Sequence, residues 1–159
     1  MDAFEKEVED EIKKLGIPKG ISITKGGVLG IKGISGNSWN PDIVLEKIFE
    51  TPIKVDGKAS AYLVSIDEKF LAIIECKNIQ STQQPTYRNQ MFRAYAELGD
   101  LKNIDCPKFV VIPKRMILKR GFNYDSYFKS VWAEIVEWGN TDDRSRFLNK
   151  IKTIIFEDK

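Results

Sequence analysis

The unbroken apolar run Phe70-Leu71-Ala72-Ile73-Ile74 limits most what this chain can become. Five apolar residues with no polar alternation suit a strand covered on both faces rather than on one. Such a strand belongs in the middle of a sheet with helices on either side, so an α/β (α+β) fold with a central mixed sheet is expected. The run ends in Glu75-Cys76-Lys77. Residues two apart on a strand point the same way, so Glu75 and Lys77 project together while Cys76 faces the opposite side. A carboxylate and an amine thus arrive together at the end of a buried strand.

The rest of the chain supplies the neighbours. Phe4, Val8, Ile12 and Leu15 recur at helical spacing and Gly16 with Pro18 stops them, giving a helix over residues 2–15. Glycine-rich residues 20–38 suggest strands at 21–24 and 28–31 joined by a Lys25-Gly26-Gly27 turn. A strand entered through Pro41 carries Asp42 and runs on to Phe49. Val55-Asp56-Gly57-Lys58 reads as a turn, and Asp67-Glu68-Lys69 as the turn of a hairpin between 61–66 and 70–77. A helix over 86–98 ended by Gly99, a strand at 109–112, and two closing helices at 124–138 and 142–156 complete the order. With no linker or repeat in 159 residues, positions 1–159 are read as one domain.

Composition removes several kinds of chemistry. The chain has no histidine, which excludes the Ser-His-Asp and Cys-His designs and the His-rich metal motifs. Cys76 and Cys106 are too few for a disulfide framework. A net charge of +2 argues neither for nor against a polyanionic partner. The opening MDAFEKEVEDEIKK is acidic where a signal peptide is basic and then apolar, and no apolar stretch could span a bilayer. A cytoplasmic protein without membrane association is expected.

Carboxylates and lysine are left to do the chemistry. If the strand bearing Asp42 neighbours the one bearing Glu75, the two acids form an oxygen site suited to Mg²⁺ or Mn²⁺. A cation held there stabilises charge on a phosphate and activates a bound water, which Lys77 can orient or help deprotonate.

The segments Asn40-Pro41-Asp42-Ile43-Val44 and Ala72-Ile73-Ile74-Glu75-Cys76-Lys77-Asn78 resemble the PD-(D/E)xK signature of the restriction-endonuclease-like nucleases. The opening helix, with Glu5 eleven residues before Gly16, is similar to that of archaeal Holliday-junction resolvases. The resemblance implies a metal-dependent deoxyribonuclease, with Asp42 and Glu75 as ligands and the backbone carbonyl of Cys76 as a further one. It also implies Lys77 beside the attacking water and Glu5 completing the metal site, with Glu9 as the substitute one turn on. The interval from Asp42 to Glu75 is longer than in the compact resolvases and is expected to hold an extra strand. The alternative is a non-catalytic nucleic-acid-binding or assembly protein on the same fold.

Secondary candidates are weaker. Arg88, Gln90 and Arg93 on the helix after the Glu75 strand, with Tyr95 beside them, could meet DNA, with Gln83 and Gln84 as rivals. Lys114 and Arg115 open the densest basic stretch, and read equally as phosphate contacts or a solvated loop. Trp39 stands close enough to Pro41 to line a nucleic-acid groove. Phe122, Tyr124, Tyr127, Phe128, Trp132 and Trp138 read as core or as a dimer face rather than as base-stacking groups. A nuclease cutting both strands needs two sites, which a homodimer would supply.

Overall fold

A computed structural model describes residues 2–54, 62–80, 83–116, 118 and 124–157, of which 50–54 and 62–67 as backbone only. In chain order the elements are α1 (Ala3–Lys13), β1 (Ile21–Thr24), β2 (Ile31–Lys32), β3 (Ser38–Trp39), β4 (Ile43–Lys54) and β5 (Tyr62–Cys76). There follow α2 (Gln84–Asp100), β6 (Lys108–Ile112), α3 (Asp125–Lys129), β7 (Ala133–Glu137) and α4 (Thr141–Glu157). Five strands form one sheet in the order β1-β4-β5-β6-β7, and β2 pairs with β3 in a small separate ribbon. The β1, β4 and β5 pairings are antiparallel, and β5, β6 and β7 run parallel. The sheet is therefore mixed, and helices cover both its faces.

Alternation along the strands divides the core in two. Ile43, Leu45, Ile74 and Cys76 pack with Phe4, Val8 and Ile12 of α1 and with Phe147, Ile151 and Ile155 of α4. Val44, Ile73 and Val110 pack on the other face with Tyr87, Met91, Ala94 and Leu98 of α2 and Phe128 of α3. Each helix presents its apolar residues three or four apart, so each buries one stripe against the sheet. Asp2 starts α1 by accepting the Glu5 backbone N–H at 2.8 Å.

Three sequence expectations are corrected. First, 21–24 and 28–31 do not form a hairpin. β1 joins the edge of β4 instead, pairing Ile21 with Lys47 and Thr24 with Val44. Positive φ at Gly26, Gly27 and Gly30 makes 25–30 a loop lying against the sheet. Second, Asp67-Glu68-Lys69 is no turn: β5 runs unbroken through it, antiparallel to β4 from Tyr62 onward. Among the described residues, the long interval from Asp42 to Glu75 holds no extra strand but the lengthened halves of a two-stranded arm. The expected turn at 55–58 lies outside the described residues, as does Phe122.

Third, 124–138 is not one helix. It is the short α3 and then β7, which pairs in parallel with β6. Trp132 between them has φ +60, a left-handed backbone that ends a right-handed helix. Its side chain is 71% exposed and that of Tyr127 40%, so neither is core, whereas Tyr124, Phe128 and Trp138 are buried in it. Phe147, fully buried between Phe109 and Trp138, and Trp132 should therefore behave oppositely. Phe147→Ala is expected to cost about 3–5 kcal/mol in urea unfolding, and Trp132→Ala to stay within about 0.5 kcal/mol of wild type.

Candidate active site

The β4–β5 register builds the site. Ile43 lies across from Ile74 and Val44 from Ile73. One step further along the antiparallel pair sets Asp42 opposite Glu75. The Cys76 backbone N–H donates to Asp42 Oδ2 at 2.8 Å, closing the pairing with a side chain where β4 has ended. N–H and C=O of one strand residue point to the same edge. The Cys76 carbonyl is therefore turned toward Asp42 too, while the Lys77 N–H goes the other way, to Val111 O at 2.9 Å.

Two helices extend this pair into a row of four acids. Glu5, buried on the first turn of α1, meets the Asp42 carboxyl. Glu75, only 5% exposed, meets Asp42 on one side and Glu97 of α2 on the other. Glu97 is itself buried. Burial first, then hydrogen bonding to Glu97 and Asp42, pushes the Glu75 carboxyl up to about 11. Burial, then the Asp42 charge, also raises Glu5, with Lys25 working in the opposite sense.

Glu5 Oε1 and Glu75 Oε2 are buried without a hydrogen-bond partner, though carboxyl groups adjoin both. Oxygen facing oxygen is satisfied only when a proton or a cation lies between them. The donor set therefore suits a hard divalent cation. Among the described residues no group of three or more acids or thiols is drawn together as a ready metal cage.

Lys77 comes from the same strand end. Its Nζ stands 3.9 Å from Glu75 Oε1, an ion-pair separation longer than a hydrogen bond. The Cys76 thiol points to the opposite face, among α1 and α4. Burial and then the nearby carboxylates push it far above the ordinary thiol range, so it is no nucleophile.

The other sequence candidates separate. Glu9 is not in the row; it pairs with Lys13 at 2.8 Å. Trp39, half-buried, donates its Nε1 to Asp100 and packs its ring against the α2-side core. Arg115 is engaged by Asp125 through two hydrogen bonds, of 2.8 and 3.0 Å, and braces α3. Lys114 is exposed just past the end of β6 that pairs with Cys76. Arg88 and Arg93 are exposed on α2 and Gln90 is half-buried. Arg88 shares a shallow concavity with Gln83, Gln84 and Pro85 at the start of that helix.

Sequence reasoning did not select Glu97 or Lys25. Glu97 falls three residues after Ala94 and directly before Leu98, beside the buried stripe of α2. An acid there is the signal that helical periodicity could have raised. Lys25 gave none, because a loop folds it back toward Glu5. A concavity of about 750 Å³ between β6, β7 and α4 lies at the far end of the parallel strands. It lies away from the acid row, and in it Arg146 pairs with Glu134 and Asp143 and Lys150 with Glu134.

No protein-family model matches this chain, and no curated protein does. Among solved structures it is similar to the small subunit (R.BspD6I2) of the heterodimeric restriction endonuclease R.BspD6I. That likeness covers 94% of this chain and 78% of the other, at 15% identity and a TM-score of 0.34. At that distance it says nothing of activity. No helix among the described residues is long and apolar enough to cross a membrane.

The acid row has a measurable consequence. Glu75 is raised from 4.5 to about 11, so its contribution to stability is complete below about 4.5 and is lost as pH rises toward about 11. In chelator, the urea midpoint should fall between about pH 5 and about pH 9, and Glu75→Gln should flatten that slope. An unchanged slope in the variant would remove Glu75 as its source.

Proposed function

We propose that this protein is a divalent-metal-dependent nuclease that hydrolyses phosphodiester bonds in DNA. The observation that carries the proposal is the Asp42–Glu75 pair at the end of a buried strand, with Lys77 beside it and buried carboxylate oxygens unpartnered. Asp42, Glu75 and the Cys76 carbonyl would hold Mg²⁺ or Mn²⁺, with Glu5 as an additional ligand. When bound, the cation supplies charge stabilisation at the scissile phosphate and lowers the pKa of a coordinated water.

The chain's own groups do the rest. Burial of Glu75 against α2 fixes the direction of its carboxylate, and the Cys76 N–H fixes Asp42. Lys77, one side chain away, orients the attacking water and offsets negative charge as the phosphate becomes five-coordinate. Exposed Arg88, Arg93 and Lys114, with Gln90 near them, offer phosphate contacts. A homodimer would bring two such sites to a duplex.

Nicking of supercoiled DNA in Mg²⁺ tests the reading. Asp42→Ala and Lys77→Ala should each slow cleavage by more than about 100-fold. Glu9→Ala, outside the row, should stay within about twofold of wild type. A wild type that binds DNA but cuts nothing, or a Lys77→Ala that cuts equally well, would instead mark a non-catalytic nucleic-acid-binding protein.

A further inference from the structure

A second pair of acids lies on the same strands, outside the site. Glu46 of β4 is fully buried, and its Oε1 accepts the backbone N–H of Val28. Glu68 of β5 meets the Glu46 carboxyl and accepts the backbone N–H of Leu29. Both Glu46 Oε2 and Glu68 Oε2 are buried without a partner. Two touching carboxyls with an orphan oxygen on each are satisfied by one proton between them.

The pair holds down one segment, the loop of residues 25–30. A Cβ on Gly27 would stand 3.3 Å from Glu46 Oε1 and 3.5 Å from the Phe70 ring, so the loop backbone lies directly on the pair. Val28 and Leu29 point outward, 51% and 53% exposed, and bury little apolar surface to hold the loop themselves. At its other end the Gly26 N–H donates to Pro41 O at 2.9 Å, next to Asp42, and Lys25 faces Glu5.

We propose that a single proton shared by Glu46 and Glu68 latches residues 25–30 onto the sheet beside the acid row, and that its loss releases them. The latch does not depend on the nuclease reading. Burial and then contact with Glu46 raise Glu68 from 4.5 to about 7, within reach of ordinary conditions. Among the residues whose side chains are described, the basic groups on β4, β5 and the loop are Lys47, Lys69 and Lys25. Lys47 and Lys69 are register partners, which puts them on the opposite face of the arm from Glu46 and Glu68. Lys25 acts on Glu5. None of them is the counter-charge of the pair.

The sign is fixed by linkage. With the latch closed the pair keeps its proton up to about 7; with it open Glu68 returns toward 4.5. Closure is therefore strongest below about 4.5, weakens by roughly tenfold per pH unit up to about 7, and levels off above.

Hydrogen exchange of the Val28 and Leu29 amides, corrected for intrinsic rates and run in chelator, reads this directly. In wild type their protection should fall roughly tenfold per unit between about pH 5 and about pH 7. Glu68→Gln, whose amide can donate to Glu46 without carrying charge, should keep both amides protected and flat across that range. Protection that is pH-independent in wild type, or equally steep in Glu68→Gln, overturns the latch. So does recovery of wild-type protection on adding Ca²⁺ at high pH, which would make a cation the occupant. The wild-type profile stands as a test even if the variant fails to fold.

Discussion

The backbone register between β4 and β5 is the constraint from which the rest follows. Pairing Ile43 with Ile74 puts Val44 and Ile73 on the α2 side and Leu45 and Ala72 on the α1 side. A slip of one residue would send every one of these apolar groups to the wrong face and turn Asp42 away from Glu75. The hydrophobic pattern that fixes the core thus fixes the placement of the two acids as well. Burial energy, spread over two core clusters, holds a geometry that the acids themselves oppose.

That opposition is visible in the charges. Four carboxyls drawn from α1, β4, β5 and α2 repel one another, and burial removes the water that would screen them. The cluster is tolerated because Glu75 keeps a proton, because Lys25 and Lys77 stand near, and because the Cys76 backbone N–H donates to Asp42. A site that a proton stabilises in isolation is one that a divalent cation can take over by displacing that proton. Since the four acids lie on four separate elements, the row exists only once the tertiary fold is complete.

Legibility in the sequence follows the range of the interactions. Glu75 and Lys77 could be placed because strand alternation is local, and the buried run before them marks a central strand. Glu97 could not be assigned to the site, because its role depends on how α2 docks across Glu75. β7 was hidden because Tyr124, Phe128 and Trp132 repeat at helical spacing while the break at Trp132 is a backbone angle. The β4–β5 arm was misread for another reason. Glu68 and Lys69 look like a charged turn, yet in a continuous strand they project to opposite sides, one into the pair with Glu46 and the other beside Lys47.

One irregularity determines which of those sides is which. The register shifts between Leu45 and Glu46, so that Leu45 pairs with Ala72 but Glu46 pairs with Phe70, leaving Leu71 as the extra residue of a bulge. On the Glu75 side of the bulge the odd-numbered residues of β5, Ile73 and Glu75, face α2; on the arm side the even-numbered ones, Phe70 and Glu68, take that face. Leu71 accordingly joins Ala72 in the α1-side core. Were the pairing to run on unshifted from Leu45 and Ala72, Glu46 would oppose Leu71 and Lys69 would fall on its face of the arm in place of Glu68. With the shift, the fully buried Glu46 meets a second carboxyl, and no cation among the described side chains faces the pair. A one-residue shift of register therefore sets a carboxyl rather than an amine on the face of Glu46, on the same two strands whose ends carry Asp42 and Glu75.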